Sequence, residues 1–319
     1  MALPTGKVLR ILADNLERRK GVVPLSPKKA TAWSEGLDIP KSGETVIYTG
    51  QMYQLIPSIN SMTNWMAKFE DFKLNNLFDI GRAINKAVNL SWFMALGSWR
   101  EQKTYNNILR NIANLLKKAG VEFGYLYEKE LYSGALLFDE GVDEIFTQQA
   151  HRVYEMLKTN GVKRVITVDP HTTNMLRSIY PEIISGYDIE VKSYLELLAE
   201  SNFNSTKPLN LDIVIHDPCV YARSENILDE PRHLLENAGA EIHEPELSGK
   251  LTYCCGGPLE SLFPGKAHTI ATTRVEQLAG CCNRVVTMCP ICLAILRRAA
   301  GSDLAIKDIS EYLIEAYRT

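Results

Sequence analysis

The segment Arg284-Val-Val-Thr-Met-Cys-Pro-Ile-Cys292 joins a short apolar run to a Cys-Pro-x-Cys turn. Its β-branched residues are typical of a buried strand, and Pro290 suits the first turn of a helix that continues over Leu293–Ala300. A second apolar run, Leu211-Asp-Ile-Val-Ile-His216, is followed in the same way by Asp217-Pro218-Cys219. Both segments therefore predict a strand with a cysteine just beyond its carboxyl end.

Helical patterns separate these two strands. Pro231–Ala240 and Thr269–Gly280 each have apolar residues at helical spacing and a glycine near the end. Alternating strands and helices are typical of a parallel α/β sheet, and the loops after the strands of such a sheet gather at one edge. We therefore predict an α/β fold in which cysteines from different loops meet at the carboxyl edge of a parallel sheet.

The same order of features occurs twice along the chain, which indicates a tandem duplication. The four pairs of similar segments, N-terminal copy first, are 46–51 with 214–219, 119–123 with 238–242, 132–136 with 254–258, and 164–172 with 284–292. An insertion at residues 61–105 lengthens the N-terminal copy, and its many aromatic residues predict helices that cover that copy or dock a partner subunit. The predicted domains are an N-terminal extension at 1–43, a first copy at 44–200 and a second copy at 201–319.

All seven cysteines lie at or beyond residue 219. An odd number in a long chain without a secretion signal argues against a disulfide framework and favours a metal, an iron–sulfur cluster or thiol redox chemistry. Five of them occupy matched positions of the repeat: Cys219, Cys254, Cys255, Cys289 and Cys292. The first copy has other residues at those positions: Gln51, Tyr132, Ser133, Asp169 and Thr172. Cys281 and Cys282 stand outside the set, and we interpret them as partly buried structural thiols.

The adjacent pair Cys254-Cys255 needs an irregular backbone, because neighbouring side chains diverge in regular structure. Gly256-Gly257-Pro258 comes directly after the pair and predicts a turn that directs both thiols to one centre. The two residues between Cys289 and Cys292 likewise let one loop place two sulfurs on one metal. An iron–sulfur cluster, a structural zinc site, a redox dithiol at Cys289 and Cys292, and metal-free packing all remain open at this point.

The pattern Cys219-x34-Cys254-Cys255-Gly256-Gly257-x31-Cys289-Pro290-x-Cys292 resembles the CCG, or cysteine-rich, domain. Residues 44–319 are most similar to the B subunit of heterodisulfide reductase and to electron-transfer subunits of lactate, glycolate, glycerol-phosphate and succinate oxidising systems. The resemblance implies an α/β fold of two pseudo-symmetric CCG-type copies with parallel-sheet cores. The N-terminal copy departs from the family pattern because it lacks cysteines.

The resemblance also implies a non-cubane [4Fe-4S] cluster. Its ligands would be Cys219, Cys254, Cys255, Cys289 and Cys292. Five thiolates exceed the four that hold an ordinary cubane. Since the first copy has no thiol, we predict one cluster per chain, with zinc as the less favoured metal. Cys254 and Cys255 are the predicted catalytic residues within the set.

By the same resemblance, the chain is the iron–sulfur subunit of a heterodisulfide-reductase-like oxidoreductase complex, with a thiol, disulfide or sulfur-carrier substrate. Neither a ferredoxin Cys-x2-Cys-x2-Cys motif nor a GxGxxG fingerprint occurs in the sequence. The missing motifs indicate that electrons come from a separate protein, and the resemblance implies a ferredoxin-like iron–sulfur subunit and a flavoprotein as partners. Two alternatives are an electron-relay subunit of a flavin dehydrogenase with no substrate of its own, and a structural zinc-binding subunit.

Composition narrows the class of protein further. The 319 residues have a formal net charge of −3, which gives no electrostatic case for binding nucleic acid. The longest apolar patch, residues 87–99, is broken by polar residues and falls short of the ~20 that a membrane helix needs. We expect no transmembrane segment and no signal peptide, and hence a cytoplasmic protein, or one peripheral to a membrane complex.

Four polar residues near the motifs have two interpretations each. His216 precedes the first cysteine turn and is either a structural histidine or a support for the metal ligands. Arg223 either stabilises a charged cluster or substrate, or forms a surface salt bridge. Asp169 and His171 either serve local structure or form a compensating metal site in the first copy.

Overall fold

The structure, a computed structural model, describes residues 14–16, 25–69, 99–201, 205–302 and 304–317. Most of the predicted insertion, residues 70–98, lies outside the described residues. Most of the N-terminal extension before residue 25 lies outside them as well, and residues 14–16 are helical.

Two four-stranded sheets are formed within the described residues. The first contains β1 (Thr45–Tyr48), β2 (Gly124–Tyr125), β3 (Arg164–Thr167) and β4 (Glu190–Ser193), and the second contains β5 (Leu211–Ile215), β6 (Ala240–His243), β7 (Arg284–Thr287) and β8 (Ala305–Asp308). Every pairing is parallel, and the strand orders are β2-β1-β3-β4 and β6-β5-β7-β8. The predicted α/β class with parallel sheets is confirmed.

Helices connect successive strands, as parallel pairing requires. The α-helices of the first copy are α1 (Pro27–Thr31), α2 (Met52–Phe69), α3 (Trp99–Lys118), α4 (Ala135–Asp139), α5 (Asp143–Thr159), α6 (Pro170–Asn174), α7 (Tyr180–Ile183) and α8 (Tyr194–Glu200). Those of the second copy are α9 (Asp229–Asn237), α10 (Pro264–Ala279), α11 (Pro290–Ala300) and α12 (Ile309–Ala316). Helix α10 begins five residues before the predicted Thr269, because Pro264 suits a first helical turn.

The two sheets are equivalent residue by residue. Val46 of β1 pairs with Val165 of β3, and Val214 of β5 pairs with Val285 of β7. Both β1 and β5 also pair with a strand that comes after a left-handed glycine, Gly120 or Gly239. The matched segments from the sequence therefore occupy the same places in both sheets, and the predicted duplication is confirmed.

One further equivalence escaped the sequence comparison. Strands β4 and β8 end in Ser193 and Asp308, and each of these residues forms a capping box with a glutamate three residues later, Glu196 or Glu311. Four-residue strands carry too little pattern to be matched by sequence. The shared cap nevertheless fixes how α8 and α12 leave their sheets.

The two copies exchange equivalent hydrogen bonds across their interface. The hydroxyl of Tyr53, at the start of α2, donates to Asp308 at 2.7 Å. The hydroxyl of Tyr221, at the matching place after β5, lies 2.9 Å from the Ser193 hydroxyl. Each copy thus contributes a buried tyrosine to the strand end that begins the last helix of the other copy.

Helices of the two copies also pack on each other in equivalent pairs. Helix α12 packs on α3, and α8 packs on α9; likewise α11 packs on α2, and α6 packs on the π-helical turn Val220–Glu225. One hydrophobic core contains buried side chains of both copies, including Ile47 and Ile213. This shared burial explains why the strands are apolar on both faces and why the first turns after the strands of one copy lie against the other.

Of the helices described here, none is both long enough and apolar enough to span a lipid bilayer.

Candidate metal centre

Three loops of the second copy bring the five thiols of the set together. Cys219 follows β5, the pair Cys254-Cys255 follows β6, and Cys289 with Cys292 follows β7. Since these strands are parallel, the three loops leave the same edge of the sheet. The sequence prediction that cysteines from different loops meet at one edge is therefore confirmed.

The thiols form a continuous chain of contacts. Cys292 Sγ donates to Cys255 Sγ at 3.2 Å. Cys255 and Cys219 donate to Cys254, and Cys292 is also in hydrogen-bond contact with Cys289. Cys255, Cys289 and Cys292 are buried, whereas Cys219 and Cys254 are partly exposed. One side of the group therefore faces solvent, and the other faces the interface between the copies.

Hydrogen bonding makes Cys254 and Cys289 acceptors, whereas Cys255 both accepts from Cys292 and donates to Cys254. The bonds from Cys219 and Cys255 lower the pKa of Cys254, and donation to Cys254 raises the pKa of Cys219 and Cys255. Burial opposes ionisation of Cys289, but bonds from Cys292 and His171 lower its pKa to about 5. Thiolates are the form of cysteine that binds metal, so the group already favours two of the required charges.

The turn at Gly256 explains how two adjacent cysteines reach one centre. Gly256 has φ +85°, and its backbone N–H donates to Cys254 Sγ at 3.3 Å. A Cβ atom added at this residue would lie 2.9 Å from the carbonyl oxygen of Ala267. The sequence-predicted glycine turn is confirmed, and both the backbone conformation and the close approach of α10 require glycine there.

His216 lies beside the thiols. Its side chain is fully buried, and one ring nitrogen lies within 4.8 Å of Cys255 Sγ and Cys292 Sγ, which are themselves within that distance of each other. Arg274 of α10 donates from Nε to His216 Nδ1 at 3.1 Å. Burial and the nearby Arg274 charge lower the pKa of His216 to about 3, so the ring is neutral.

Arg274 was not identified from the sequence, although a signal existed. The inward face of α10 contains Ala267, Ala271, Arg274 and Leu278. An arginine on an otherwise apolar stripe points into the protein and needs buried acceptors. It finds them in His216 and in the Leu247 carbonyl oxygen, which lies 3.0 Å from Nη1.

His171 reaches the thiols from the other copy. Its Nδ1 lies 3.0 Å from Asp139 Oδ2, and its side chain is hydrogen-bonded to Cys289. Burial alone would lower the pKa of His171, but Asp139 and Cys289 raise it well above its usual value. Asp169 Oδ1 accepts from Thr172 N at 2.9 Å while His171 is directed to Asp139 and Cys289, which favours the local structural interpretation of the two residues over a shared metal site.

Arg223 does not form the predicted surface salt bridge with any residue that the structure describes, and its role toward a charged cluster or substrate stays a prediction. Its guanidinium donates to the backbone carbonyl oxygens of Lys250, at 3.2 Å, and Thr252, at 2.6 Å. These bonds tie the turn after Cys219 to the loop that enters Cys254. Arg223 therefore positions two thiol-bearing loops relative to each other.

In the first copy, the side chains at the matched positions are held in local hydrogen bonds. Gln51 donates to the Glu130 carbonyl oxygen at 3.0 Å, Tyr132 accepts from Leu136 N at 2.7 Å, and Thr172 donates to Ser133 at 3.5 Å. A Cβ atom at Gly50 would overlap Thr172 Oγ1, which shows how tightly this place is packed. With no thiolate and little space, these residues do not fit an iron–sulfur cluster.

Cys281 and Cys282 lie at the opposite end of β7 from Cys289. Cys281 Sγ donates to the Gln277 carbonyl oxygen at 3.6 Å, and Cys282 Sγ donates to that of Asp212 at 3.2 Å. Both are partly buried, as expected from the sequence. They therefore lie outside the thiol group.

A buried glutamate in the first copy makes stability depend on pH. Glu130 accepts from Thr49 N at 3.0 Å, yet burial raises the pKa of Glu130 to about 8. The folded chain thus holds a proton that the unfolded chain has lost above about pH 4.5, so this group destabilises the fold increasingly as pH rises towards 8. Relative to the parent, Glu130→Gln should therefore gain roughly 2 kcal/mol of unfolding free energy between pH 6 and 8.

Urea unfolding at several pH values measures this difference. Glu122→Gln, which changes an exposed carboxylate before β2, is the control and should show no such trend. A gap between Glu130→Gln and the parent that stays constant from pH 6 to 8 would contradict the prediction.

Two parallel sheets of one topology, with five clustered thiols at the carboxyl edge of the second, define a tandem cysteine-rich α/β protein. The family model described as CCG, cysteine-rich domain, matches residues 98–177 and 213–297, which is about half of the chain. The chain belongs to this family. The second match contains all five thiols of the group, and the first contains their replacements at Tyr132, Ser133, Asp169 and Thr172.

Three curated relatives are similar to the chain. The probable iron-sulfur-binding oxidoreductase FadF of Bacillus subtilis is 30% identical over 259 residues, which cover 78% of this chain and 36% of that protein. The EtfAB:quinone oxidoreductase of Syntrophomonas wolfei is 32% identical over 231 residues, which cover 66% of this chain and 32% of that protein. The B subunit of the fumarate reductase (CoM/CoB) of Methanothermobacter marburgensis is 30% identical over 191 residues, which cover 56% of this chain and 38% of that protein. The chain spans about a third of the length of these relatives.

Proposed function

We propose that the chain is the cluster-binding subunit of an iron–sulfur oxidoreductase of the CCG family. The observation that carries the proposal is the meeting of five thiols from three loops at one sheet edge. Thiolates are the usual ligands of iron–sulfur clusters, and one side of the group is open to solvent. The names of similar proteins include an iron–sulfur-binding oxidoreductase, which supports the proposal.

The proposed ligands are Cys219, Cys254, Cys255, Cys289 and Cys292. When bound, a cluster of the non-cubane [4Fe-4S] type would supply one-electron transfer at this edge. We propose one such cluster per chain, because the matched positions of the first copy lack thiols and are occupied by hydrogen-bonded side chains.

We propose that a thiol, disulfide or sulfur-carrier substrate reacts on the side where Cys219 and Cys254 are partly exposed. Cys254 and Cys255 are the proposed catalytic pair. Reduction of one disulfide to two thiols consumes two electrons and two protons, and a flavoprotein with a ferredoxin-like subunit would deliver the electrons. The name of the Methanothermobacter relative, a fumarate reductase (CoM/CoB) subunit, supports a role in a redox complex.

A second candidate is an electron relay with no substrate of its own. The name of the Syntrophomonas relative, an oxidoreductase between EtfAB and quinone, favours this candidate. In a relay the cluster exchanges electrons only with other redox centres. The two candidates therefore differ in whether the reduced chain reacts with disulfides.

Anaerobic purification and then analysis of iron, zinc and acid-labile sulfide per chain tests the proposal. We expect about four irons and four sulfides in a brown protein. One zinc without sulfide or colour would overturn the redox function, and about eight irons would overturn the assignment of a single cluster. Mixing the dithionite-reduced protein with an aromatic disulfide then separates the two candidates, since only the first predicts reoxidation, with two reduced chains and two protons consumed for each disulfide that releases two thiols.

A further inference from the structure

His216 and Arg274 form a fully buried pair directly behind the thiols. The histidine follows β5, and its backbone N–H donates to the Val286 carbonyl oxygen at 2.8 Å, which fixes it beside β7. Both side chains have no exposed surface. The pair therefore has a defined position relative to Cys255 and Cys292 and no access to solvent.

The guanidinium determines which ring nitrogen carries the proton. Arginine only donates hydrogen bonds, so His216 Nδ1, 3.1 Å from Arg274 Nε, must be the acceptor. A neutral imidazole with a bare Nδ1 carries its proton on Nε2. Nε2 is buried and has no hydrogen-bond partner within the part of the chain that the structure describes. A buried N–H without an acceptor is costly and indicates that Nε2 gains its acceptor only when the centre is loaded.

The same geometry argues against His216 as a metal ligand. Ligation through Nε2 would move the proton to Nδ1, where it would face the Nε–H of Arg274 at hydrogen-bond distance. Two donors directed at each other repel, and Arg274 cannot rotate away freely because Nη1 is held by Leu247 O and Gln277 Oε1, both at 3.0 Å. The ring is thus prepared to donate from Nε2 rather than to bind metal.

We infer that His216 donates an Nε2–H hydrogen bond to the sulfurs at Cys255 and Cys292 when the centre is loaded, and that Arg274 is the positioning residue that fixes this tautomer. The inference rests on the proposed function. Hydrogen bonds to the sulfurs of an iron–sulfur centre stabilise its more negative, reduced form and raise its potential. The pair would therefore set the potential of the centre without binding iron.

Redox titration of reconstituted variants tests the inference. His216→Leu should keep its iron and sulfide but lower the midpoint potential. At the midpoint potential of the parent, the ratio of oxidised to reduced centre should be about tenfold higher in His216→Leu than in the parent, which corresponds to a shift of 59 mV for one electron. His216→Gln keeps a side-chain N–H and should recover part of that shift. His233→Leu, which changes an exposed histidine on α9, is the control and should titrate like the parent.

Arg274→Met extends the test to the positioning residue. If Arg274 acts through the histidine, Arg274→Met should change the midpoint potential less in the His216→Leu background than in the parent. If the charge of Arg274 acts directly, the effects of the two substitutions on the potential should add. His216→Gln and Arg274→Met also keep the inference testable if His216→Leu fails to fold.

The results that would contradict the inference differ from those that would contradict the proposed function. Equal potentials in the parent, His216→Leu and His216→Gln at equal iron content would overturn the inference and leave the proposed function intact. Loss of iron from His216→Leu to the level of a cysteine variant would overturn the donor role, because it would make the ring a ligand. Absence of iron from the parent itself would overturn the proposed function and the inference with it.

Discussion

Replacement of Cys255 by serine is expected to lower bound iron and sulfide at least tenfold. Cys255 occupies the middle of the thiol chain, where it donates to Cys254 and accepts from Cys292 at 3.2 Å. A serine hydroxyl does not ionise near neutral pH and is a poor ligand for iron–sulfur clusters. Because the residue is only 3% exposed, no other thiol can take its place without moving the loop. Iron, sulfide and visible absorbance after anaerobic reconstitution measure the loss.

One serine variant and one alanine variant serve as controls for this result. Cys282→Ser changes a thiol at the opposite end of β7, and Ser133→Ala changes the residue of the first copy that matches Cys255. Both should bind as much iron as the parent. Full iron content in Cys255→Ser would exclude Cys255 from the ligands, and loss of iron from Ser133→Ala would show that the first copy also takes part in binding.

Substitution of Gly256 by alanine is expected to destabilise the fold by about 2–5 kcal/mol. Left-handed backbone costs a non-glycine residue roughly 1–2 kcal/mol, and overpacking in a tight site adds roughly 1–3 kcal/mol. The added Cβ would lie 2.9 Å from the Ala267 carbonyl oxygen and 3.2 Å from Ile270 Cβ, so α10 would have to shift. Since the same turn aims Cys254 and Cys255, iron content should fall as well.

Gly161→Ala provides the matched comparison. Gly161 has φ +71°, close to that of Gly256, but an added Cβ would meet nothing within 4 Å. Its expected cost is the backbone cost alone, roughly 1–2 kcal/mol. Urea unfolding of both variants, prepared in the same way, measures the difference. Equal destabilisation by the two substitutions would show that the contact between Gly256 and α10 contributes nothing.

Much of the thiol group was predictable because its determinants are local. Cys219 and Cys289 each come after an apolar run, and parallel strands place the loops at their carboxyl ends along the same edge of the sheet. Gly256 stands directly after the cysteine pair, so the need for a turn is evident from three adjacent residues. The duplication was also visible, since strand ends and glycines recur in the same order in both copies.

The surroundings of the thiols were predicted poorly because they depend on packing. The sequence pattern offers His171 only local roles in the first copy, yet it contacts Cys289 of the second, since α6 packs against the other copy. The same pattern makes Arg223 a charge partner, and it instead donates to two backbone carbonyl oxygens. Arg274 stands on a helix face whose periodicity indicates burial but not which residue it meets.

By itself the sequence determined the α/β class, the two copies, the five grouped thiols and the glycine turn, because each follows from periodicity, spacing or the conformational limits of one residue. Only the tertiary structure decided which groups face those thiols. Tyr53 and Asp308 are 255 residues apart, and His216 and Arg274 are 58 apart. Such pairs meet because two sheets bury a common core, and the free energy of that burial depends on apolar area and shape rather than on any local pattern.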